Sequence, residues 1–298
     1  PGTTKAQIWP TSPVLGGSNV PAMAPNPPAP HIFYLAQGDV LNLETDGAQG
    51  SDLTGTRIVT DRKVTVFGGH ECANIPLGTD FCDHVEQQLF PVQAWGTHYI
   101  GDAFKPRNTA QKDTWRILSG ADNVQVTLNP AVAGPFSLNK GQWQEFHTGT
   151  SFDVKASGPI LLGHFMQGSN YSGFEASCDN STGIGDPAFT LGIPVEQYLE
   201  EYIVLTPQDA YKQDFINIMF KIGSETAVTV DGAPLPQLTA ASPAVPVGNT
   251  QWAVAQVAVT DGVHTIKSPE NPIGVTAYGY DCDVSYAYPG GLSLKTIQ

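Results

Sequence analysis

Residues 68–100 read GGHECANIPLGTDFCDHVEQQLFPVQAWGTHYI, and the interpretation of the whole chain starts from this stretch. A β-like run over residues 63–67 leads into it. Cys72 and Cys82 then enclose a segment that contains Pro76 and Gly78, two residues that favour turns. The stretch therefore predicts strands joined by a loop that a disulfide closes.

The four cysteines predict two disulfides rather than a zinc site, because the count is even and no Cys-x-x-Cys pair occurs. A Cys72–Cys82 bridge closes a short loop. The second pair is then Cys178 and Cys282. Each of these two cysteines follows one of two similar hairpin-like segments. Disulfides are typical of oxidising compartments, so we expect an extracellular or cell-surface location.

The composition predicts an all-β protein. Charged residues make up only 14% of the chain, and its 31 Gly and 24 Pro suit short strands and turns better than long helices. The net charge of −14 argues against nucleic acid and anionic membranes as partners. No apolar run approaches the roughly 20 residues of a membrane span, so membrane insertion is not expected.

Three segments resemble β-hairpins, with strand-like runs on either side of a turn: residues 55–68, 149–164 and 262–279. Two short stretches favour helix instead. Residues 83–89 begin with Asp83, a candidate N-cap. Glu86 follows three residues later, as in a capping box. Residues 194–201 begin with a proline, which is favoured at helix starts.

A repeat of about 100 residues is also indicated. Asp83, Pro91 and Tyr99 have gap-free counterparts at one constant offset (186 − 83, 194 − 91 and 202 − 99 all give 103). The alternative is coincidence among β-rich segments. Further counterparts pair residues 113–117 with 214–218 and 126–129 with 228–231, so the aligned positions include Ile100 with Ile203 and Val126 with Val228.

The predicted architecture is therefore a set of tandem antiparallel β-sandwich units with very little helix. Residues 1–30 form a Pro/Gly-rich N-terminal arm, either a linker or an edge strand, and residues 31–90 form a first short β unit. Residues 91–193 and 194–298 form the second and third units. The alternative is one compact domain over residues 30–298.

Catalytic and metal motifs are absent from the sequence, including Gly-x-Ser-x-Gly, His-Glu-x-x-His and the phosphate loop. A paired-carboxylate glycosidase stays open, since its acids can be far apart in the chain. His70, Glu71, Asp83 and His84 could approach one another across the disulfide, but capping of the loop is the simpler interpretation. Calcium at Asp179 and Asp186 lacks the spacing of a known motif. We therefore predict no metal, no cofactor and no catalytic residues.

Aromatic residues in polar, Gly-rich loops are the candidate ligand contacts, because flat rings serve protein and carbohydrate recognition. Tyr171 and Phe174 lie in one such loop and Trp143 in another. The alternative for each is packing over the edge of its own sandwich.

One set of motifs carries a family resemblance: Gly68-Gly69-His70, Cys72, Cys82-Asp83-His84-Val85-Glu86-Gln87-Gln88, Pro91, Trp95-Gly96 and Tyr99-Ile100. With these motifs, the sequence resembles the N-terminal domain of the IgG Fc-binding protein family over about residues 50–291. The resemblance implies an extracellular domain for binding or adhesion rather than catalysis, although no motif for Fc itself can be mapped.

Taken together, these features predict an extracellular adhesion or recognition module that binds a cell-surface protein or a glycan, as part of a larger or oligomeric surface protein. One alternative is a structural spacer that holds another domain away from a surface. A carbohydrate-active enzyme is the third hypothesis.

Overall fold

The computed structural model describes residues 2–107, 111–170, 184–209 and 211–297. The chain is all-β, as the composition predicts, and every pair of neighbouring strands is antiparallel. Helix within the described ranges amounts to one short α-helix, α1 (Leu235–Leu238), and the 3-10 turns Val92–Ala94, Val195–Gln197 and Glu225–Ala227. No helix among these residues is long and apolar enough to cross a membrane.

The chain begins with a three-stranded sheet in the order β2-β1-β3, formed by β1 (Thr4–Trp9), β2 (His31–Leu35) and β3 (Arg57–Thr60). Residues 1–30, the predicted arm, thus contain the central strand of this sheet. Alternation along β1 explains its place: Ala6 and Ile8 are buried, whereas Lys5 and Gln7 on the opposite face are partly exposed.

A two-stranded ribbon follows, made of β4 (Phe67–Ala73) and β5 (Asp83–Gln88). The prediction of a helix over residues 83–89 is therefore wrong. The local capping pattern is overridden by pairing with β4, in which Gln88 lies opposite Phe67 and Val85 is buried. A disulfide joins Cys72 to Cys82, as the sequence predicts, and closes the ribbon.

The second unit is a sandwich of two four-stranded sheets with the orders β10-β7-β12-β13 and β6-β11-β8-β9. Trp115 and Ile117 of one sheet meet Val126, Phe152 and neighbouring apolar residues of the other in a shared core. Its strands are β6 (His98–Gly101), β7 (Asp113–Ser119), β8 (Val124–Asn129), β9 (Phe136–Leu138), β10 (Trp143–Thr148), β11 (Phe152–Ala156), β12 (Ile160–Met166) and β13 (Ala188–Leu191).

The third unit has sheets in the orders β18-β19-β15-β21-β22 and β14-β20-β16-β17. Ile216, Ile218 and Ala255 of the first sheet pack against Val204 and Ile266 of the second. Its strands are β14 (Glu201–Thr206), β15 (Gln213–Lys221), β16 (Thr229–Val230), β17 (Ala233–Pro234), β18 (Val245–Pro246), β19 (Trp252–Val259), β20 (Gly262–Lys267), β21 (Gly274–Asp281) and β22 (Val284–Pro289).

The three predicted hairpins are not hairpins. In residues 55–68, β3 pairs with β1, and residues 61–66 form no strand. In the other two segments the first strand lies in one sheet and the next strand in the facing sheet, as β11 and β12 do and as β20 and β21 do. A turn and alternating residues look the same in a hairpin and in a connection between two sheets, so the sequence pattern cannot separate them.

Apart from β18, the two sandwiches share one strand order. β10, β7, β12 and β13 correspond to β19, β15, β21 and β22, and β6, β11, β8 and β9 correspond to β14, β20, β16 and β17. Tyr99 lies in β6 and Tyr202 in β14, and a 3-10 turn follows both Pro91 and Pro194. The turn after Pro194 is all the helix formed in residues 194–201. Descent of both units from one duplicated sequence stays a prediction.

The outer face of the five-stranded sheet is buried against the second unit. Met219, Trp252 and Val254 pack around Ile100, and Phe104 packs with Tyr278 in a second cluster. Polar groups also cross the boundary: the Asn217 side-chain amide donates to the Ala103 carbonyl over 3.0 Å. The two sandwiches therefore share a continuous, hydrogen-bonded interface.

Candidate recognition surface

Of the three predicted ligand contacts, only Trp143 can be placed. Tyr171 and Phe174 lie outside the described residues, as do Asp179 and Cys178. Cys282 is disulfide-bonded, and its predicted pairing with Cys178 stays a prediction. Trp143 is the first residue of β10, lies opposite Leu118 of β7 and is half-buried.

Trp143 is held by Arg116 rather than by the core of its sandwich. The guanidinium carbon of Arg116 lies 4.5 Å from the centre of the Trp143 ring and 5.3 Å from that of Phe165. The same guanidinium donates to Glu145 over 2.7 Å and to Asp52 over 2.6 Å. These contacts fix the ring at the point where the N-terminal segment meets the second unit.

An open cleft of about 490 Å³ lies beside the Trp143 ring, at the junction of the N-terminal segment and the second unit. Gly55 packs against the Gly141 carbonyl beside it, with φ at +88°, so a side chain at this position would be strained and would clash. The cleft offers an aromatic ring, hydroxyls and amides, and its lining includes Thr11, Asn26, Asp52, Thr54 and Gln142.

Asp52, the acid that lines this cleft, does not form a glycosidase pair with the nearby Glu145. Burial alone would raise the pKa of Asp52, but Arg116 and hydrogen bonds from Thr54 lower that pKa below its usual value. Glu145 is also bound to Arg116. A glycosidase needs one carboxyl group that stays protonated, and two carboxylates ion-paired to one arginine do not supply it.

A buried His–Asp pair elsewhere in the second unit is structural. His164 Nε2 lies 2.9 Å from Asp113 Oδ2, and the His164 ring stacks between Trp115 and Phe104 at centroid distances of 3.6 and 3.8 Å. The imidazole is 1% exposed. A substrate cannot reach this imidazole without opening the core, so the pair supplies no accessible general base.

The polar residues at the disulfide have local partners. His70 Nδ1 accepts the Cys72 N–H over 2.9 Å, and Asp83 Oδ1 accepts the His84 N–H over 2.7 Å. His84 Nε2 lies 3.4 Å from Glu86. These contacts are those of residues that cap a loop, and the described ranges contain no group of three His, Cys, Asp or Glu side chains arranged to hold a metal.

Asp186, the other residue weighed for calcium, lies at the start of the segment leading to β13 and is buried. Burial, together with the negative charges of Asp83 and Asp283, raises its pKa to about 6, against a smaller lowering by Arg107. The carboxyl group therefore takes up a proton near pH 6, well above the usual range for an aspartate, and is mostly ionised at pH 7. The proton relieves some of the repulsion between these acids.

The outer face of the N-terminal three-stranded sheet is a further candidate surface, which the sequence did not indicate. On it, Ile32 lies opposite Gln7, Tyr34 opposite Lys5 and Val59 opposite Gln7. Tyr34 is 65% exposed, and the Arg57 guanidinium lies 4.5 Å from the centre of the Trp9 ring. We define the N-terminal sheet face as Lys5, Gln7, Trp9, Ile32, Tyr34, Arg57 and Val59.

The N-terminal sheet face and the cleft beside Trp143 are connected by the residues that follow β1 and precede β3. Thr11, two residues after Trp9, lines the cleft, and its N–H donates to the hydroxyl of Thr56, the neighbour of Arg57. The alternation of residues 4–9 is the signal that could have revealed the strand. The prolines and glycines in the rest of residues 1–30 favoured an arm instead. The side chains of β1, β2 and β3 meet on one face because β1 pairs with both other strands.

A second exposed apolar pair lies on the loop that the disulfide closes. Leu77 is 66% exposed and Phe81 is 56% exposed. Phe81 adopts φ of +60°, which is unusual for a residue with a large side chain. This loop carries two exposed apolar side chains and is a separate element from the N-terminal sheet.

Comparisons with known proteins give one family and one relative. The family model described as IgGFc binding protein matches residues 2–279. The human IgGFc-binding protein is 25% identical over 263 residues, which is 86% of this chain and 4% of that relative. No solved structure matches the chain.

Proposed function

Because the chain belongs to the IgGFc-binding protein family, we propose that it is an extracellular, non-catalytic recognition module whose ligand is another protein. The observation that supports this most directly is the N-terminal sheet face. It presents Trp9, Tyr34 and Arg57 together on a three-stranded sheet. Tryptophan, tyrosine and arginine are the residue types that dominate binding energy at protein interfaces.

The charge of this face indicates the kind of protein surface it binds. Lys5 and Arg57 both belong to it, and one acid borders it: Asp61, whose Oδ1 accepts the Lys5 N–H over 2.8 Å. The face therefore carries a small excess of positive charge, although the chain as a whole carries −14. A cationic face on an acidic protein attracts an acidic partner surface and orients the approach. The ligand surface is therefore acidic at its rim and apolar at its centre, where it meets Ile32, Tyr34 and Val59.

The ligand extends from this face toward Trp143. The cleft beside that ring supplies hydroxyl and amide groups for polar contacts at the edge of the interface. Tyr171 and Phe174 stay proposed contacts of the same module. The extracellular assignment is supported by the Cys72–Cys82 disulfide, since such bonds persist in oxidising compartments.

The test is binding to immobilised extracellular proteins, with IgG Fc first because the human relative is named for it, and with a glycan array in parallel. We expect a protein ligand whose affinity falls as salt increases. The double variant Tyr34→Ala, Arg57→Ala should weaken binding more than about tenfold, or about 1.4 kcal/mol. Its melting temperature should stay unchanged, because both residues are exposed.

Leu77→Ala is the matched control, since Leu77 is equally exposed but lies on the disulfide loop. It should leave binding unchanged. If Leu77→Ala lost binding and the double variant did not, the ligand would contact the disulfide loop rather than the N-terminal sheet face. Binding to glycans alone would overturn the protein assignment. Binding to nothing on either array would favour the structural spacer, and turnover of any glycan would overturn the non-catalytic assignment.

A further inference from the structure

The third sandwich exposes an apolar sheet face that nothing covers in the described part of the chain. Ile203 and Leu205 of β14 are 68% and 59% exposed, and Val263 of β20, directly opposite Leu205, is 65% exposed. At one end of the same strands, Lys267 lies 2.9 Å from Glu201. We call this set the C-terminal sheet face: Glu201, Ile203, Leu205, Val263, Thr265 and Lys267.

The corresponding place in the second sandwich is occupied. β6 is the edge strand there, as β14 is in the third sandwich. Tyr99 donates to the Ile160 carbonyl and accepts the Gly96 N–H, and Tyr202 likewise donates to the Ile273 carbonyl and accepts the Leu199 N–H. These matching bonds place the next residue of each strand, Ile100 or Ile203, at an equivalent position.

In the second sandwich this position is packed against another sheet, through Ile100. It is 1% exposed and packs with Met219, Trp252 and Val254 on the outer face of a neighbouring sheet. Ile203 points from the equivalent strand position into solvent. The fold therefore uses this place for packing a sandwich against another sheet, and the third sandwich presents it without such a sheet.

We propose that the C-terminal sheet face binds the same face of a second copy of this chain, related by a two-fold axis. The contact is isologous, so Ile203, Leu205 and Val263 of each copy pack against those of the other. A patch of exposed aliphatic side chains on adjacent strands is the kind of surface that marks a protein interface.

Charge favours this face over the rest of the surface for self-association. Each chain carries −14, so two copies repel one another wherever their acids meet. On the C-terminal sheet face, however, Glu201 is paired with Lys267. Asp231, which borders the face where its Oδ1 accepts the Thr265 N–H, lies 2.7 Å from His264 Nδ1. Two acidic chains can approach there without bringing unpaired charges of the face together.

This electrostatic arrangement predicts how the dimer responds to salt. Salt screens the repulsion between the two acidic chains and leaves the aliphatic contact intact. The dimer therefore tightens as salt increases. Binding of an acidic ligand to the cationic N-terminal sheet face has the opposite dependence, so the two surfaces are distinguished in one set of measurements.

The experiment is sedimentation velocity of the full chain over a wide concentration range at low and high salt. We expect a monomer–dimer equilibrium that shifts toward dimer at high salt. Ile203→Glu should weaken dimerisation about 100-fold, since a two-fold contact counts each change twice and about tenfold per copy is expected. Val40→Glu, at a residue 90% exposed elsewhere, is the matched control and should leave the equilibrium unchanged.

A chain that stays monomeric at the highest concentration and salt overturns the proposal. So does a dimer that Ile203→Glu does not weaken, or one that dissociates as salt is added. The far-ultraviolet circular dichroism and melting temperature of Ile203→Glu show whether the variant is folded. If it is not, Leu205→Ser and Val263→Ser replace it, since both side chains are mostly exposed and their loss leaves no cavity.

Discussion

Tyr99 and Tyr202 show how single buried residues lock each sandwich. Each hydroxyl donates to a carbonyl in the facing sheet or just before it, at 2.5 Å for Tyr99 and 2.6 Å for Tyr202, and each accepts a backbone N–H three residues earlier. Burial raises the pKa of Tyr202 to about 12 and that of Tyr99 still further, so both stay protonated donors.

Replacement of either tyrosine by phenylalanine should therefore cost about 1–3 kcal/mol of unfolding free energy, because the partner carbonyl and N–H are left buried without a bond. Urea denaturation measures the cost. Tyr34→Phe is the control, since the ring of Tyr34 is mostly exposed, and it should change stability by less than about 0.5 kcal/mol. A loss at Tyr99 with none at Tyr202 would contradict the equivalence of the two positions.

At the scale of one element, the β4–β5 ribbon depends on its disulfide. Among the described residues the two strands pair with each other and with no other strand, and the bridge spans a sequence separation of 10. A two-stranded ribbon is marginal by itself in water. Closing a loop of this length stabilises the folded chain by about 2–3 kcal/mol in the chain-entropy account.

The double variant Cys72→Ser, Cys82→Ser should accordingly lower the melting temperature and open the ribbon to proteases between residues 72 and 82. Limited proteolysis with mass spectrometry locates the cut. The strands of both sandwiches should resist cleavage under the same conditions, because they are paired on wider sheets. Cleavage that begins inside a sandwich instead would show that the ribbon is held chiefly by its packing on β13.

At the scale of the whole molecule, we expect the two sandwiches to unfold in one transition, because they share an apolar and hydrogen-bonded interface. Trp252 lies at its centre: the side chain is buried, its ring meets Tyr198 edge-on at 5.8 Å, and it packs in one cluster with Ile100 and Met219. Loss of so large a buried ring removes contacts on both sides of the boundary.

Trp252→Ala should cost about 3–5 kcal/mol and should lower the stability of both units in one shared transition. Differential scanning calorimetry checks this, since a single transition has equal calorimetric and van't Hoff enthalpies. Val40→Ala, at an exposed residue, should leave the profile unchanged. Two separate transitions in the unaltered chain, of which Trp252→Ala shifts only one, would mean that the sandwiches unfold independently.

The sequence alone determined the fold class, the short disulfide loop and the family, because these follow from composition, cysteine spacing and a continuous motif around Cys82-Asp83-His84. Each of these depends on nearby residues or on the composition of the whole chain. Residues 83–89 show where prediction from nearby residues fails. Their capping pattern favours helix, but pairing with β4 and burial of Val85 make them a strand.

Only the tertiary structure decided which strands pair and which side chains share a surface. The N-terminal sheet face joins residues 5–9, 31–35 and 57–60, and the position of Trp143 depends on Arg116 and Asp52 from distant segments. Likewise Ile100 and Ile203 occupy matching positions in sequence, yet one is buried and the other exposed. The physical reason is that local propensity acts over a few residues, whereas burial depends on what the rest of the chain packs against each strand.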